Sequence, residues 1–417
     1  MANEVRSTDF LVIGGGVMGV TLALELKRRY PDCDITLMEK EAGFGLHASG
    51  RNSGVLHAGF YYTANSLKAR FTREGNRRLT QYCRERGLSL NPCGKIVVAR
   101  SEEERSGIRT LLQRGRANGV DVRHVSEEKA RELEPCAKTA GEALFSPTTS
   151  TVDPAEVMGE LVRDAREAGI RILPETDYLG RTLDGVRTSS GTIRAGYVVN
   201  AAGLYADRIA RDYGYARNIR IFPFKGLYLY EDGNGAGLRR HIYPVPDLRN
   251  PFLGVHFTVT VRGEAKIGPT AIPALWRENY SGLKAPRWEE LAEVARLGCG
   301  LMLHNRFGFR SLALRELPKF SRKHLASLAG KLVQGVDMRR FRIRGKPGIR
   351  AQPVNLRTRK LEMDFLYEGD SRSFHLLNAV SPAFTCSLPF SAYLADRIEE
   401  AVRTGTTEEA VDNAGTD

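Results

Sequence analysis

Three glycines near the start of the chain constrain its fold more than any other feature. The segment Gly14-Gly15-Gly16-Val17-Met18-Gly19 spaces them as Gly-x-Gly-x-x-Gly. It follows the apolar run Asp9–Ile13 directly and opens a helical pattern over Val17–Arg29. A second apolar run, Ile35–Met38, completes strand, glycine turn, helix and strand, which is one βαβ unit. Gly14 permits the tight turn, Gly16 lets a pyrophosphate approach the backbone, and Gly19 lets helix and strand pack closely. The helix N-terminus offers N–H groups and a positive dipole end to phosphates. Glu39 closes the second strand 20 residues beyond Gly19, where a carboxylate can accept hydrogen bonds from ribose hydroxyls. A dinucleotide held by a Rossmann-type unit is the expectation.

The residues after Glu39 separate FAD from NAD. A nicotinamide enzyme would usually continue into another α/β unit. Here Lys40 leads into a Gly-, Ser-, Asn- and His-rich stretch from Gly43 to Tyr62, which reads as a functional loop able to track an extended flavin. Ser49, Asn52, Ser53 and Gly54 lie on it. Val198-Val199-Asn200-Ala201-Ala202-Gly203 is a later strand ending in small residues, where backbone can approach the cofactor again. Near the end, Pro382, Ala383 and Thr385 open the last helix, whose N-terminus could stabilise negative charge on the reduced flavin. FAD is therefore the expected cofactor.

Composition narrows the class further. The 417 residues suffice for two or three domains, and no apolar run reaches the ~18–20 residues of a spanning helix. A first strand beginning near Asp9 is expected to leave no room for a signal peptide. Six scattered cysteines without a CxxC pair argue against a disulfide framework or a structural metal, and for a reducing cytoplasm. Sixteen basic and five acidic residues fall between Lys284 and Arg350, so eleven of the thirteen net positive charges sit in that segment. Such an excess suits a solvated basic face, an anionic membrane surface or an anionic substrate. Nucleic acid is disfavoured, because no binding motif accompanies the charge.

Further along, helices are expected over Leu67–Arg86, Ser101–Asn118, Ser126–Leu133 and from Pro154 to about Ala168. The sequence turns β-like from Phe222 to Ile267, helical from Arg287 to Gly335, and ends on a strand, Ser373–Asn378, and a helix, Thr385–Arg403. This order implies an α/β fold, with a Rossmann-type FAD-binding domain and an inserted β-rich substrate domain carrying extra helices. The expected FAD-binding pieces are residues 1–80, 145–215 and 345–403. Residues 81–144 and 216–344 form the substrate domain, and 404–417 a frayed tail.

Taken together, these residues resemble the D-amino-acid-oxidase-like superfamily of FAD enzymes, and within it the L-2-hydroxyglutarate dehydrogenases and oxidases. The likeness is most specific from Asn52 to Tyr62 and at Ser66-Leu67-Lys68-Ala69. It continues at Cys93-Gly94-Lys95, Ile242–Asp247, Pro251–Phe257, Gly268-Pro269, Gly348–Gln352 and Asn378–Ser387. The sequence departs from the pattern at Arg51 (usually His), Leu227 (usually acidic), Thr270 (usually Asn), Val380 and Phe384. The resemblance implies oxidation of a small 2-hydroxy acid, with L-2-hydroxyglutarate becoming 2-oxoglutarate. Oxygen or a quinone would accept the electrons, in the cytoplasm or peripherally on the inner face of the membrane. An amine or amino-acid oxidase of the same fold, or a flavoprotein partner without turnover, remains the alternative.

Removing a hydride from a secondary alcohol requires a base for the hydroxyl proton. His57 is the first candidate, on the loop expected beside the flavin, and His256 the second. Arg350 can clamp a carboxylate bidentately, and the superfamily resemblance also implies an arginine there. Lys225 and Arg51 could add positive charge, Tyr243 a phenolic donor, and Tyr61 belongs to the same substrate set. In the basic segment, Arg315, Lys319, Arg322, Lys323 and Lys331 flank Leu312, Leu314, Phe320, Leu325, Leu328 and Leu332. That arrangement is compatible with an interfacial helix in peripheral membrane contact, or with leucines packed on the substrate domain and charges facing water.

Overall fold

The protein is described from a computed structural model, which covers residues 6–233, 236–248 and 252–406. It divides into two compact units. The first combines Met1–Gly50, Pro154–Phe222 and Ala351–Asp417; the second combines Arg51–Asp153 and Pro223–Arg350.

In the first unit, strand Arg6–Ile13 lies parallel between Ile35–Met38 and Gly191–Asn200, with Ile13 opposite both Met38 and Asn200. Arg171–Leu173 extends one edge in parallel, and Ser373–Asn378 runs parallel to the end of Gly191–Asn200. Sequential parallel strands need covered faces, and a helix, Val17–Arg29, connects the first two. Leu22, Ala23 and Leu26 of that helix are fully buried, as are Leu11, Val12 and Leu37 of the strands. Each such leucine contributes about 1.5–3 kcal/mol of burial. The last helix, Ala383–Thr404, packs beside it: Thr21 and Ser391 hydroxyls meet at 2.7 Å, and Arg29 pairs with Asp396 and Glu399.

The second unit is built on an eight-stranded sheet. Its order is Phe341–Arg344, Leu229–Glu231, Ala265–Gly268, His256–Val259, His241–Pro244, Lys95–Val98, Glu142–Ser146 and Arg123–Ser126. The strands His241–Pro244 and Lys95–Val98 run parallel, placing His241 opposite Lys95 and Tyr243 opposite Val97. Helices Trp288–His304, Phe309–Glu316 and Arg322–Gly330 follow in the same unit.

Two expectations change. Residues 51–80, 145–153 and 345–350 group with the second unit rather than with the nucleotide-binding pieces, and 216–222 with the first unit. The reason is local pairing: Val55–Leu56 and Leu90–Asn91 both hydrogen-bond to Ser150–Val152, and helix Leu67–Glu85 packs on the first two. The expected single interfacial helix is broken. Pro318 lacks an N–H, so Leu317–Phe320 forms a tight turn between two short helices. Leu312, Leu325 and Leu332 are buried, and Lys319 is buried in an ion pair with Glu316. Of the expected frayed tail, residues 407–417 lie outside the described residues, while Thr406 bridges to Asp370.

Candidate active site

The first unit carries a cradle that fits a dinucleotide. Gly14 has φ +111°, and a Cβ there would lie 2.6 Å from the Ala201 carbonyl oxygen. A Cβ on Gly19 would lie 1.9 Å from the Gly14 carbonyl oxygen, so helix and strand could not approach as they do. A Cβ on Gly16 would instead meet only the Ser49 hydroxyl, at 3.1 Å, which leaves open space at the head of the helix. Gly16 caps that helix without a side-chain cap, no acidic residue sits in the first turn, and the Val17 N–H donates to Ser49 Oγ at 2.9 Å. An anion is thus favoured there by dipole and donors.

Glu39 is buried, and its carboxylate accepts from the Gly15 N–H at 2.7 Å and the Glu41 N–H at 3.0 Å. These bonds fix it at the end of the second strand, beside the glycine turn. Lys40 pairs with Glu41, which also meets His47 Nε2 at 3.0 Å. Ala202 donates its N–H to Asn200 Oδ1, and Gly203, with φ +53°, starts the short helical turn that follows. Pro382 caps the last helix without a side-chain bond, Ala383 opens it, and Thr385 is buried in its first turn. These donors and openings fit FAD. Asn52, Ser53 and Gly54, expected with this group, belong to the second unit, where Asn52 Oδ1 closes a turn onto the Gly54 N–H at 2.8 Å.

The second unit gathers a buried cluster of histidines, tyrosines and cations. His57 follows strand Val55–Leu56 and is buried; burial holds it well below the ordinary histidine range, reinforced by Lys95, His256, His241 and Arg350. The ring of His256 stacks on that of Tyr243, with centroids 3.6 Å apart and 16° between planes. His256 Nδ1 lies 2.9 Å from the Gly254 carbonyl oxygen and must donate to it, which leaves Nε2 as the acceptor nitrogen. Burial first, then Lys95, pulls His256 down to about 3, so the ring is neutral at physiological pH.

Arg350 is half-buried, with its guanidinium 5.1 Å from the Phe252 ring centre. Lys225 is buried and donates to Asn279 Oδ1 at 2.8 Å, and Arg51 lies over the Tyr280 ring at 4.3 Å. Tyr61 is buried beside Phe60, their ring centres 4.2 Å apart. His57, His256, Tyr61, Tyr243 and Arg350 thus share one unit, as do Lys225 and Arg51. Thr270, a departure from the family pattern, ties two strands' ends together. Its hydroxyl accepts from the Leu227 N–H at 3.0 Å and donates to the Lys225 carbonyl at 2.9 Å.

Three further buried groups are not among the candidate site residues of the sequence. His241 accepts the Val259 N–H on Nδ1 at 3.1 Å, so its Nε2–H faces Thr151 Oγ1 at 3.1 Å and the Cys93 sulfur at 3.2 Å. That tautomer cannot take a proton from Cys93, and His241 is a satisfied structural histidine. Lys266 is buried against the Tyr228 and Tyr230 rings, and burial lowers it to about 8. Lys95 is fully buried. Its signals in the sequence are its place in Cys93-Gly94-Lys95, where the family resemblance runs, and a charge opening the otherwise apolar strand Lys-Ile-Val-Val.

Comparison with known proteins agrees with this geometry. The sequence profile of the family DAO, FAD dependent oxidoreductase, matches residues 9–341. The chain is 34% identical over 422 residues to the mitochondrial L-2-hydroxyglutarate dehydrogenase of Bos taurus, covering 95% of this chain and 90% of that one. It is also 34% identical to the L-2-hydroxyglutarate dehydrogenase of Escherichia coli O17:K52:H18, covering 94% and 93%. Among solved structures, FAD-bound L-alpha-glycerophosphate oxidase from Mycoplasma pneumoniae superposes with a TM-score of 0.76 at 21% identity, covering 97% of each chain. Glycine oxidase from Geobacillus kaustophilus superposes at 0.71 with 20% identity, covering 98% of each, and both share the fold. The chain belongs to the FAD dependent oxidoreductase family and, within it, to the L-2-hydroxyglutarate dehydrogenases, and its cofactor is FAD.

Proposed function

We propose that this enzyme oxidises L-2-hydroxyglutarate to 2-oxoglutarate, with the histidine–arginine cluster of the second unit handling the substrate. The observation that carries this reading is the fixed tautomer of His256, whose Nε2 is left as a lone-pair acceptor within a cluster whose charges are cationic. Oxidation removes the hydroxyl proton and the C2 hydrogen with its electron pair, leaving a C2 ketone. FAD, held by the glycine cradle and Glu39 of the first unit, would supply the two-electron acceptor. The chain's own residues supply the rest. Arg350 pairs with the C1 carboxylate and orients C2. His256 Nε2 accepts the hydroxyl proton, a role that a committed Nδ1–H favours over the first sequence candidate, His57. His57 then orients the hydroxyl, and Lys225 provides charge for the distal carboxylate. The buried aromatic rings of Tyr61 and Tyr243 keep water from the reacting carbon. The test is direct: purified enzyme with L-2-hydroxyglutarate and an artificial electron acceptor should form 2-oxoglutarate in equal amount to acceptor reduced. Turnover of 2-amino acids alone would replace this reading with that of an amine oxidase.

The electron acceptor reading rests on a surface feature of the same unit. No helix among the described residues is long and apolar enough to cross a membrane. Yet Trp288, Leu303, Leu314 and Phe320 are each at least two-thirds exposed, within the segment that carries most of the net positive charge. We propose that this face docks peripherally on an anionic membrane, at the inner face of the cytoplasmic membrane, and that a quinone there reoxidises the flavin. Exposed aromatic and leucine side chains beside basic residues are what such an interface buries.

A further inference from the structure

The Lys95 side chain is buried without an acidic partner among the described residues. Its residue is 0% exposed, and its ammonium has no hydrogen-bond partner among the described residues. Three aromatic rings enclose it, with the nitrogen 4.1 Å from the centre of Tyr243, 5.2 Å from Tyr61 and 5.7 Å from Phe60. The same Tyr243 ring carries His256 stacked at 3.6 Å. A fully buried ammonium costs stability unless something compensates it, and aromatic faces compensate only in part. Methionine would fill the same linear volume with no such penalty. Lysine differs there from methionine by the charge it can carry.

We propose that Lys95 is a positioning residue: its ammonium, walled off behind Phe60, Tyr61 and Tyr243, gives the histidine–arginine cluster the positive potential that selects a doubly charged substrate. This rests on the reading that the cluster receives a dicarboxylate. Lys95 itself touches no substrate. It acts through the low-dielectric wall of tyrosines, where a charge is felt more strongly than at a wet surface. The groups that face it are the Cys93 thiol on its own segment, His57 on the loop after Val55–Leu56, and His241, Tyr243 and His256 on the neighbouring strands. Lys266 adds charge of the same sign at His256 and His241, Lys319 at His256, and Arg350 at His57. Burial brings Lys95 down to about 7, so its charge is largely present at pH 6 and largely lost at pH 8.5. An arriving dianion favours the charged form, and by linkage its binding takes up a proton when Lys95 is neutral beforehand.

The test uses the FAD-loaded full-length enzyme, isothermal titration calorimetry, and two unreactive probes, glutarate and butyrate. Glutarate should bind wild type about tenfold or more tightly at pH 6 than at pH 8.5, with a weaker dependence for butyrate. Near pH 8, titrations in buffers of different ionisation enthalpy should show proton uptake on glutarate binding. Lys95→Met should bind glutarate weakly at both pH values and lose that uptake, while its thermal stability at pH 6 rises. Should Lys95→Met not fold, Lys266→Met decides instead: a pH dependence and proton uptake that persist without the Lys266 charge belong to Lys95, and their loss there would overturn its role. Glutarate binding that is independent of pH in wild type, or an unchanged pH dependence in Lys95→Met, would overturn the role of Lys95 and leave the substrate assignment standing. Failure of glutarate to bind wild type at pH 6 would overturn both.

Discussion

His256 and Tyr243 stack with their ring centres 3.6 Å apart, and the same tyrosine ring meets the Lys95 ammonium at 4.1 Å. One aromatic side chain therefore couples the proposed base to a buried charge. Because burial and Lys95 both disfavour the imidazolium, His256 enters the reaction neutral, and the negative charge of the bound substrate has to offset both while it holds the proton. The sign follows: a base held at about 3 stays unprotonated as pH falls below the ordinary histidine range. The rate of flavin reduction at saturating substrate should therefore show no loss between about pH 7 and pH 5.5 from this group. A histidine-like decline near pH 6.5 that disappears in His256→Asn would contradict the assignment.

Removing the base should be costly. His256→Asn should slow flavin reduction by about 100-fold, the usual scale for a lost general base, while FAD content stays intact. His57→Asn should have a smaller effect, because its role is orientation. Stopped-flow reduction of both variants separates them, and the reverse order of effects would restore His57 as the base.

The carboxylate clamp has a separate signature. Arg350→Ala should weaken substrate binding by about tenfold or more, from loss of a charge-assisted contact worth ~1.5–3 kcal/mol. Arg350→Lys should rescue it only in part, since a point charge lacks the planar fork. Wild-type affinity in Arg350→Ala would leave the residue with a packing role against Phe252.

At the nucleotide cradle, a Cβ on Gly16 would meet only the Ser49 hydroxyl within 4 Å. Gly16→Val should therefore fold but occupy the space a pyrophosphate needs, giving colourless protein. Absorption of cofactor released on denaturation checks this. Full flavin content in that variant would move the phosphate site elsewhere.

The basic face is tested by co-sedimentation with anionic and neutral vesicles at low and high salt. Binding should require anionic lipid and weaken as salt rises, because the Debye length shortens. Replacing exposed Phe320 and Leu314 by serine should reduce it at low salt. Equal recovery in the supernatant under all conditions would leave an acceptor in solution.

How much of the molecule is legible in its sequence depends on how local each feature is. Helix Val17–Arg29 and strands Ile35–Met38 and Ser373–Asn378 match the sequence expectation residue for residue, because glycine spacing and short apolar runs specify them locally. The grouping of residues 51–80 with the second unit is not legible, since it depends on Val55–Leu56 pairing with a strand about a hundred residues away. The surroundings of Lys95 are hidden for the same reason: its register against His241 and its contact with the Tyr243 ring join segments separated by about 145 residues. The leucines from Leu312 to Leu332 have helical spacing, yet Pro318 breaks the helix and Leu312, Leu325 and Leu332 turn into the core.

The central claim, that this FAD enzyme takes electrons from a 2-hydroxy dicarboxylate, is tested most directly by anaerobic reduction. The yellow enzyme, mixed without oxygen with L-2-hydroxyglutarate, should lose its flavin absorbance, and one 2-oxoglutarate should form per flavin. D-2-hydroxyglutarate and the 2-amino acid L-glutamate should leave the absorbance in place over the same time. Bleaching by L-glutamate, with none by L-2-hydroxyglutarate, would contradict the account.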